Sequence, residues 1–377
     1  MVRSPPRRYE EEAETSAYYY PPGDMGPYLS TSFNQRVTPD KKKRSVCIKR
    51  MVPFICGVVV LAVVITIVAV TLNANSSNSS DESDGNGSGG SSEAAESTCP
   101  TIAAQNRTVA FWQSEVAGCD TVPDGVTHVV FGFALVADGV IVPSFQSSDD
   151  AIKQCVQQLQ ARCISAMASI GGSTNNDNMS EVSNATLFAE SAMTLLSTFG
   201  FDGLDLDDET VGAEFSADRT VDLLKSTRES LDAAGRTTAL LTYDAYFYEG
   251  NTAVCASESS KDYMRCFPTE VLNYVDWVNI MAYNVNLDNV TAAEIYAAAE
   301  RDTFAAWKTQ LGGSFAKATL GICIGGGCAY GPGPNATVIQ QWTELARQEG
   351  NGGMMIYAAS TEVAQDYPVT KSIVAAG

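Results

Sequence analysis

The chain of 377 residues holds a single histidine, His128. That scarcity excludes a zinc site built on two or three imidazoles, and any Ser-His-Asp triad would have to run through this one ring. Positive charge is also short: 24 Lys and Arg against 44 Asp and Glu leave a formal net charge of −20. Such a balance would repel a phosphate backbone and argues against nucleic acid as a partner. No Gly-x-Gly-x-x-Gly fingerprint stands at the first strand–helix turn, which weakens a dinucleotide-binding reading. No cysteine spacing reads as a zinc knuckle. Neither a metal nor another cofactor is expected, and catalysis is left to carboxylates. With 45% hydrophobic residues and 30 Gly among 377, the chain is neither wholly disordered nor collagen-like, and it can bury a large core.

Charge is missing altogether from one stretch. Met51 to Leu72 is 22 residues without a charged side chain, rich in Val, Ile, Ala and Leu. At about 1.5 Å per residue, a helix of that length spans a bilayer core of about 30 Å. Lys41, Lys42, Lys43, Arg44, Lys49 and Arg50 crowd its N-terminal flank, which places the N-terminus in the cytoplasm. Eight N-glycosylation sequons, at Asn75, Asn78, Asn86, Asn106, Asn178, Asn184, Asn289 and Asn335, all lie beyond it. The expectation is a single-pass type II membrane protein with its ectodomain extracellular or lumenal. Residues 1–50 read as a disordered cytoplasmic tail, 51–72 as a signal-anchor helix, and 73–98 as a Ser/Gly/acidic stalk open to proteolytic shedding. Eight of the ten cysteines follow the span, and an even number in an oxidising compartment suggests disulfides. Eight cysteines allow 105 connectivities; local pairing favours 155–163, 255–266 and 323–328, with 99–119 left over.

From residue 99 onward short apolar runs recur at 108–112, 127–134, 163–170, 201–207, 237–243, 275–283, 317–323 and 353–357, with helix-like stretches between several of them. Buried strands alternating with amphipathic helices indicate βα units on a parallel sheet. Eight such units across 99–377 fit a (β/α)8 TIM barrel, with a doubly wound open sheet as the alternative. Active groups of a barrel sit at the C-terminal ends of its strands, and the fourth run ends in Asp205-Leu206-Asp207-Asp208-Glu209. Strand alternation puts Asp205, Asp207 and Glu209 on one face. Like charges so close cannot all stay ionised, so at least one holds a proton at neutral pH, and Glu209, nearest the mouth, is the natural acid. The competing readings are an oxygen-ligand site for Ca²⁺ or Mg²⁺ and a solvated acidic edge.

The run Asp202-Gly203-x-Asp205-x-Asp207-x-Glu209 resembles the D-G-x-D-x-D-x-E signature of family 18 glycoside hydrolases, the chitinases and endo-β-N-acetylglucosaminidases. Ser169-Ile170-Gly171-Gly172 is similar to that family's S-x-G-G, Met281-Ala282-Tyr283-Asn284 to its M-x-Y-D, and the run 352–357 to its G-G-x-x-x-W. The resemblance implies a retaining, substrate-assisted glycosidase for β-1,4-linked N-acetylglucosamine. Glu209 would be the acid, Asp207 would orient the acetamido group, Asp205 would tune the shared proton, and Tyr283 would bind the acetamido carbonyl. Ser169, Gly171 and Gly172 would shape the floor, with Met281, Asn284 and Tyr357 against the sugar. Apart from the resemblance, Trp112 at the end of the first run and Tyr243 and Tyr246 after the fifth could line such a groove, with core packing the equal alternative for each. Asn284 stands where the family has Asp, and Tyr357 where it has Trp. About 33 residues separate Tyr283 from Lys317, too few for the α+β insertion of many members, which implies an open groove and endo cleavage. The alternatives are a non-catalytic chitinase-like lectin and an endo-β-N-acetylglucosaminidase acting on N-glycan cores.

Overall fold

The computed structural model describes residues 99–113, 118–247, 255 and 265–376. The tail, the apolar span and the stalk lie outside the described residues, and among those described no helix is long and apolar enough to cross a membrane. Among the described residues nine strands form one sheet: β1 (Thr108–Gln113), β2 (His128–Ala137), β3 (Val140–Pro143), β4 (Ser165–Gly171), β5 (Gly203–Asp207), β6 (Leu240–Tyr246), β7 (Trp277–Met281), β8 (Ala318–Cys323) and β9 (Met354–Tyr357). Eight of them are parallel and close on themselves through β1–β2 and β1–β9, giving the barrel. The ninth, β3, pairs antiparallel with β2. Sequence reading missed this hairpin, although its signal is present: Asp138-Gly139 between two apolar stretches, both at positive φ as a tight primed turn requires.

The helices cover the outside. Those that flank the first half are α1 (Asp149–Ala161), α2 (Asn176–Ser180), α3 (Ala185–Phe199) and α4 (Ala217–Ala233). The second half carries α5 (Asn289–Ala298), α6 (Thr303–Gln310), α7 (Ala336–Ala346) and α8 (Pro368–Ala375). Side-chain caps fix the starts: Ser148, Asn184, Ser216, Asp288 and Asn335 each accept a first-turn N–H. The connection from β7 to β8 contains α5 and α6 and no strand, in keeping with the short spacing in sequence.

Strand alternation sorts the side chains into two layers. Ala110, Trp112, Leu204, Leu206, Leu241, Tyr243 and Ile322 face the helices, and burial of each large apolar group there stabilises the fold by about 1.5–3 kcal/mol. Inside the barrel Val109, Phe111, Val130, Met167 and Met355 fill one side. Across from them β5 to β8 present Asp205, Thr242, Asp244, Asn279 and Thr319, all buried. A core half made of polar groups is costly unless every group finds a partner, and that requirement builds the site.

The disulfides differ in part from local pairing. Cys255–Cys266 and Cys323–Cys328 form as expected, but the others are Cys99–Cys163 and Cys119–Cys155. Cys155 lies on the buried face of α1 and Cys163 beyond its end. Eight helical residues separate two Cα atoms by about 12 Å, well over disulfide reach.

Candidate active site

The site starts from Asp205, with no solvent exposure at the centre of β5. Ser169 Oγ donates to its Oδ2 at 2.7 Å, while Thr242 Oγ1 and Asn279 Nδ2 donate to Oδ1. The Asn279 amide is oriented by its own partners: Trp277 Nε1 and Thr319 Oγ1 donate to its oxygen at 2.9 and 2.7 Å. Its Nδ2 therefore faces Asp205 and also Asp244 Oδ1, at 2.9 Å. Hydroxyl and amide donors aimed at a carboxylate suit a held anion and oppose the cation-site reading, which needs oxygens free to ligate.

Asp207 follows on the same face, 4% exposed, and Glu209 lies half-buried two residues beyond the strand end. Burial raises the Asp207 carboxyl well above the usual range, the charges of Glu209 and Asp205 add to it, and Arg265 opposes. Glu209 is also raised by burial, opposed by Arg265, by a backbone hydrogen bond at Ser173 and by one with Asp207. Asp207 thus lies between two carboxylates, and both it and Glu209 hold a proton more readily than a free carboxyl does. Asp208 points out of the barrel, where Thr210, Thr220 and Arg219 hold it and tie down the loop after β5.

Gly171 and Gly172 let the end of β4 close on this strand. Both are at positive φ; a side chain at Gly171 would collide with the Asp207 carbonyl, and Gly172 donates its N–H to that carbonyl at 2.9 Å. Above the carboxylates the Tyr283 and Tyr357 rings lie parallel, 5.8 Å between centroids and 5° between planes. Burial raises both phenols, Tyr357 to about 12, so both stay protonated and can donate. Met281 packs inside the barrel with Phe111, which meets Tyr357 edge-on.

One residue expected at the sugar is placed elsewhere. Trp112 is 2% exposed and packs outward against Tyr367 in the strand–helix layer, because β1 presents Phe111 and Gln113 to the interior instead. Gln113 Nε2 reaches the Tyr357 hydroxyl at 3.5 Å. Asn284, at φ 57°, accepts the backbone N–H groups of Ala329 and Tyr330 and so holds the loop after β8. Of the two tyrosines considered for the groove, Tyr243 is buried against Phe267, whereas Tyr246 is half-buried with Arg265 over its ring. Sequence reading missed Asp244, Asn279 and Arg265. Asn279 sits mid-run among apolar residues, a polar interruption that could have been noticed; Asp244 lies one residue past the run ending at Tyr243.

The family model described as glycosyl hydrolases family 18 matches residues 105–326. Among curated proteins the chain is 30% identical to Chitinase 1 of Aphanocladium album over 203 residues, 46% of each chain. It is 28% identical to Chitotriosidase-1 of Mus musculus over 180 residues, 44% of this chain and 36% of that one. These matches span less than half of either relative. A class V chitinase of Cycas revoluta solved with (GlcNAc)3 superposes with a TM-score of 0.56 at 19% identity, covering 72% of this chain and 99% of that one. A class V chitinase of Nicotiana tobaccum gives 0.55 at 16% identity, with 71% and 98% covered. With the barrel closed and the carboxylate strand in place, the chain belongs to glycosyl hydrolases family 18.

Proposed function

We propose that this protein is a membrane-anchored, retaining endo-glycosidase that hydrolyses β-1,4-N-acetylglucosamine linkages, as in chitin and chito-oligosaccharides, with the substrate's acetamide as nucleophile. The observation that carries the reading is the row of Asp205, Asp207 and Glu209 along one strand face, with Asp205 held by the Ser169, Thr242 and Asn279 donors and Asp207 buried beside it. An acid stands at the mouth, and Asp205 at the base is committed to hydrogen bonds rather than poised to attack a sugar.

In this reading Glu209 protonates the glycosidic oxygen while the acetamide carbonyl oxygen attacks C1. The leaving sugar departs as an alcohol, and an oxazolinium ion remains. Asp207 Oδ1, buried and without a partner, accepts the acetamide N–H and stabilises the developing positive charge. Tyr283 donates to the acetamide oxygen and Tyr357 offers its face to the sugar. Glu209, now a carboxylate, takes a proton from water as that water attacks C1. Two displacements give net retention. Relatives named chitinases, and structures of such enzymes with (GlcNAc)3, support the substrate class. The short β7–β8 connection supports an open groove and internal cleavage. The uncharged run 51–72 and the sequons beyond it support a type II anchor, with the enzyme extracellular or lumenal and open to shedding through the stalk.

Turnover of chito-oligosaccharides by the parent and by Glu209→Gln tests this. The variant is expected to lose about 10²- to 10⁴-fold in kcat and to keep binding. Binding without turnover in the parent would instead make the protein a lectin. Cleavage of a high-mannose glycoprotein alone would make it an N-glycan endo-β-N-acetylglucosaminidase.

A further inference from the structure

The strand after the carboxylate strand brings a fourth carboxyl into the barrel. Asp244, in β6, is 2% exposed. Its Oδ1 accepts Asn279 Nδ2 at 2.9 Å, and its carboxyl is hydrogen-bonded to that of Asp205. Asp205, Asp207 and Glu209 face it from β5 and the segment beyond, Asn279 from β7, and Tyr283 and Tyr357 from above. The guanidinium of Arg265 meets the backbone oxygen of Asp244, at 3.4 Å.

Two carboxyls joined by a hydrogen bond require a proton between them. An ionised carboxylate has about four acceptor sites. On Asp205, Ser169, Thr242 and Asn279 occupy three, and a donating Asp244 occupies the fourth. A carboxylate so filled has no site left for a proton carried by Asp207. Asp207 is arranged accordingly: it bonds to Glu209, and its Oδ1 is buried without a partner.

We propose that Asp244 is a positioning residue that gives Asp205 its fourth hydrogen bond and thereby turns the Asp207 proton outward, toward Glu209 and the substrate acetamide. Burial, with the charges of Asp205 and Asp207, pushes the Asp244 carboxyl well above the usual range, so it keeps the proton it donates. The proposal rests on the glycosidase reading, and gives that reading a starting state in which Asp207 needs no turn before the acid step.

The test uses the full-length protein with chitotetraose as substrate, comparing the parent with Asp244→Ala and Asp244→Asn. Alanine opens a site on Asp205, so kcat should fall by about 10- to 100-fold with KM little changed. The alkaline limb of the kcat profile should move to higher pH, since Glu209 loses the bond from Asp207 that holds it down. Asparagine still accepts from Asn279 and donates to Asp205, so it should recover at least tenfold of what alanine loses. A purely structural role would lower the melting temperature and leave the limb in place. Alanine with the parental kcat and limb, or asparagine as poor as alanine, would overturn the proposal. Infrared difference spectra of the parent against Asp244→Asn at neutral pH need no substrate. Loss of a protonated-carboxyl band supports the proposal, and an unchanged band overturns it even if chitotetraose is not cleaved.

Discussion

Trp112 and His128 show how a single side chain's setting changes what its replacement should do. Trp112 is buried between β1 and Tyr367, so Trp112→Ala should cost about 3–5 kcal/mol in denaturant unfolding while the KM of the remaining folded enzyme stays near the parent's. A KM rise with parental stability would return Trp112 to the groove. His128 lies edge-on to Trp277, 5.0 Å between centroids, and accepts or donates at Nδ1 with Thr127 Oγ1 at 2.7 Å. Burial, then the charge of Arg107, drives it down to about 3. A base depressed on folding contributes stability above its unfolded value of about 6.5, lost as pH falls toward 3. Asp205, Asp207, Asp244 and Glu209 are raised on folding, so their contribution is present below about 4 and lost as pH rises. Calorimetry should therefore find the melting temperature highest in mild acid. His128→Asn should flatten the acid side and Asp207→Asn the alkaline side; a melting temperature that climbs steadily to pH 9 would contradict the carboxyl assignment, and an acid side unchanged in His128→Asn would contradict that of the histidine.

Among the elements, the carboxylate strand was the most legible in sequence, because Asp and Leu alternate over a span with no competing period and the motif ends where a barrel strand should. The strand before it was equally clear, since Ser169 and the paired glycines serve the same contact with β5 that their spacing suggests. The strand read as 237–243 runs instead from Leu240 to Tyr246. That shift of three residues hid Asp244, for apolar pattern alone does not fix where a strand stops. Trp112 failed for the opposite reason: its strand was right, but inner and outer faces of a strand buried on both sides are both apolar, so alternation carries no sign. Disulfides depend on which helix face meets which turn, and spacing cannot supply that. Peptide mapping without reduction should recover 99–163 and 119–155, and loss of the former, through Cys163→Ser with Cys99→Ser, should cost about 2–4 kcal/mol.

On the scale of the whole molecule the net charge of −20 is a sum over unlike parts. Residues 1–50 carry 10 basic and 6 acidic side chains, leaving 14 and 38 for the rest, so +4 precedes the apolar span and −24 follows it. That asymmetry is what a type II anchor predicts. Of the sequons, Asn106, Asn178, Asn184, Asn289 and Asn335 are all on exposed positions of the barrel. Expression in microsomes should add glycans removable by peptide-N-glycosidase, while added protease trims only the basic tail; an unglycosylated, fully digested chain would contradict the topology. The single histidine, at the N-terminal end of β2, belongs to the barrel's stability, and the proposed reaction needs no imidazole. That reaction has a stereochemical consequence that one measurement reads directly. Proton NMR of chitotetraose during the first turnovers should show the β-anomer of the product appearing first and the α-anomer only later, by mutarotation. The α-anomer appearing first would contradict the substrate-assisted account.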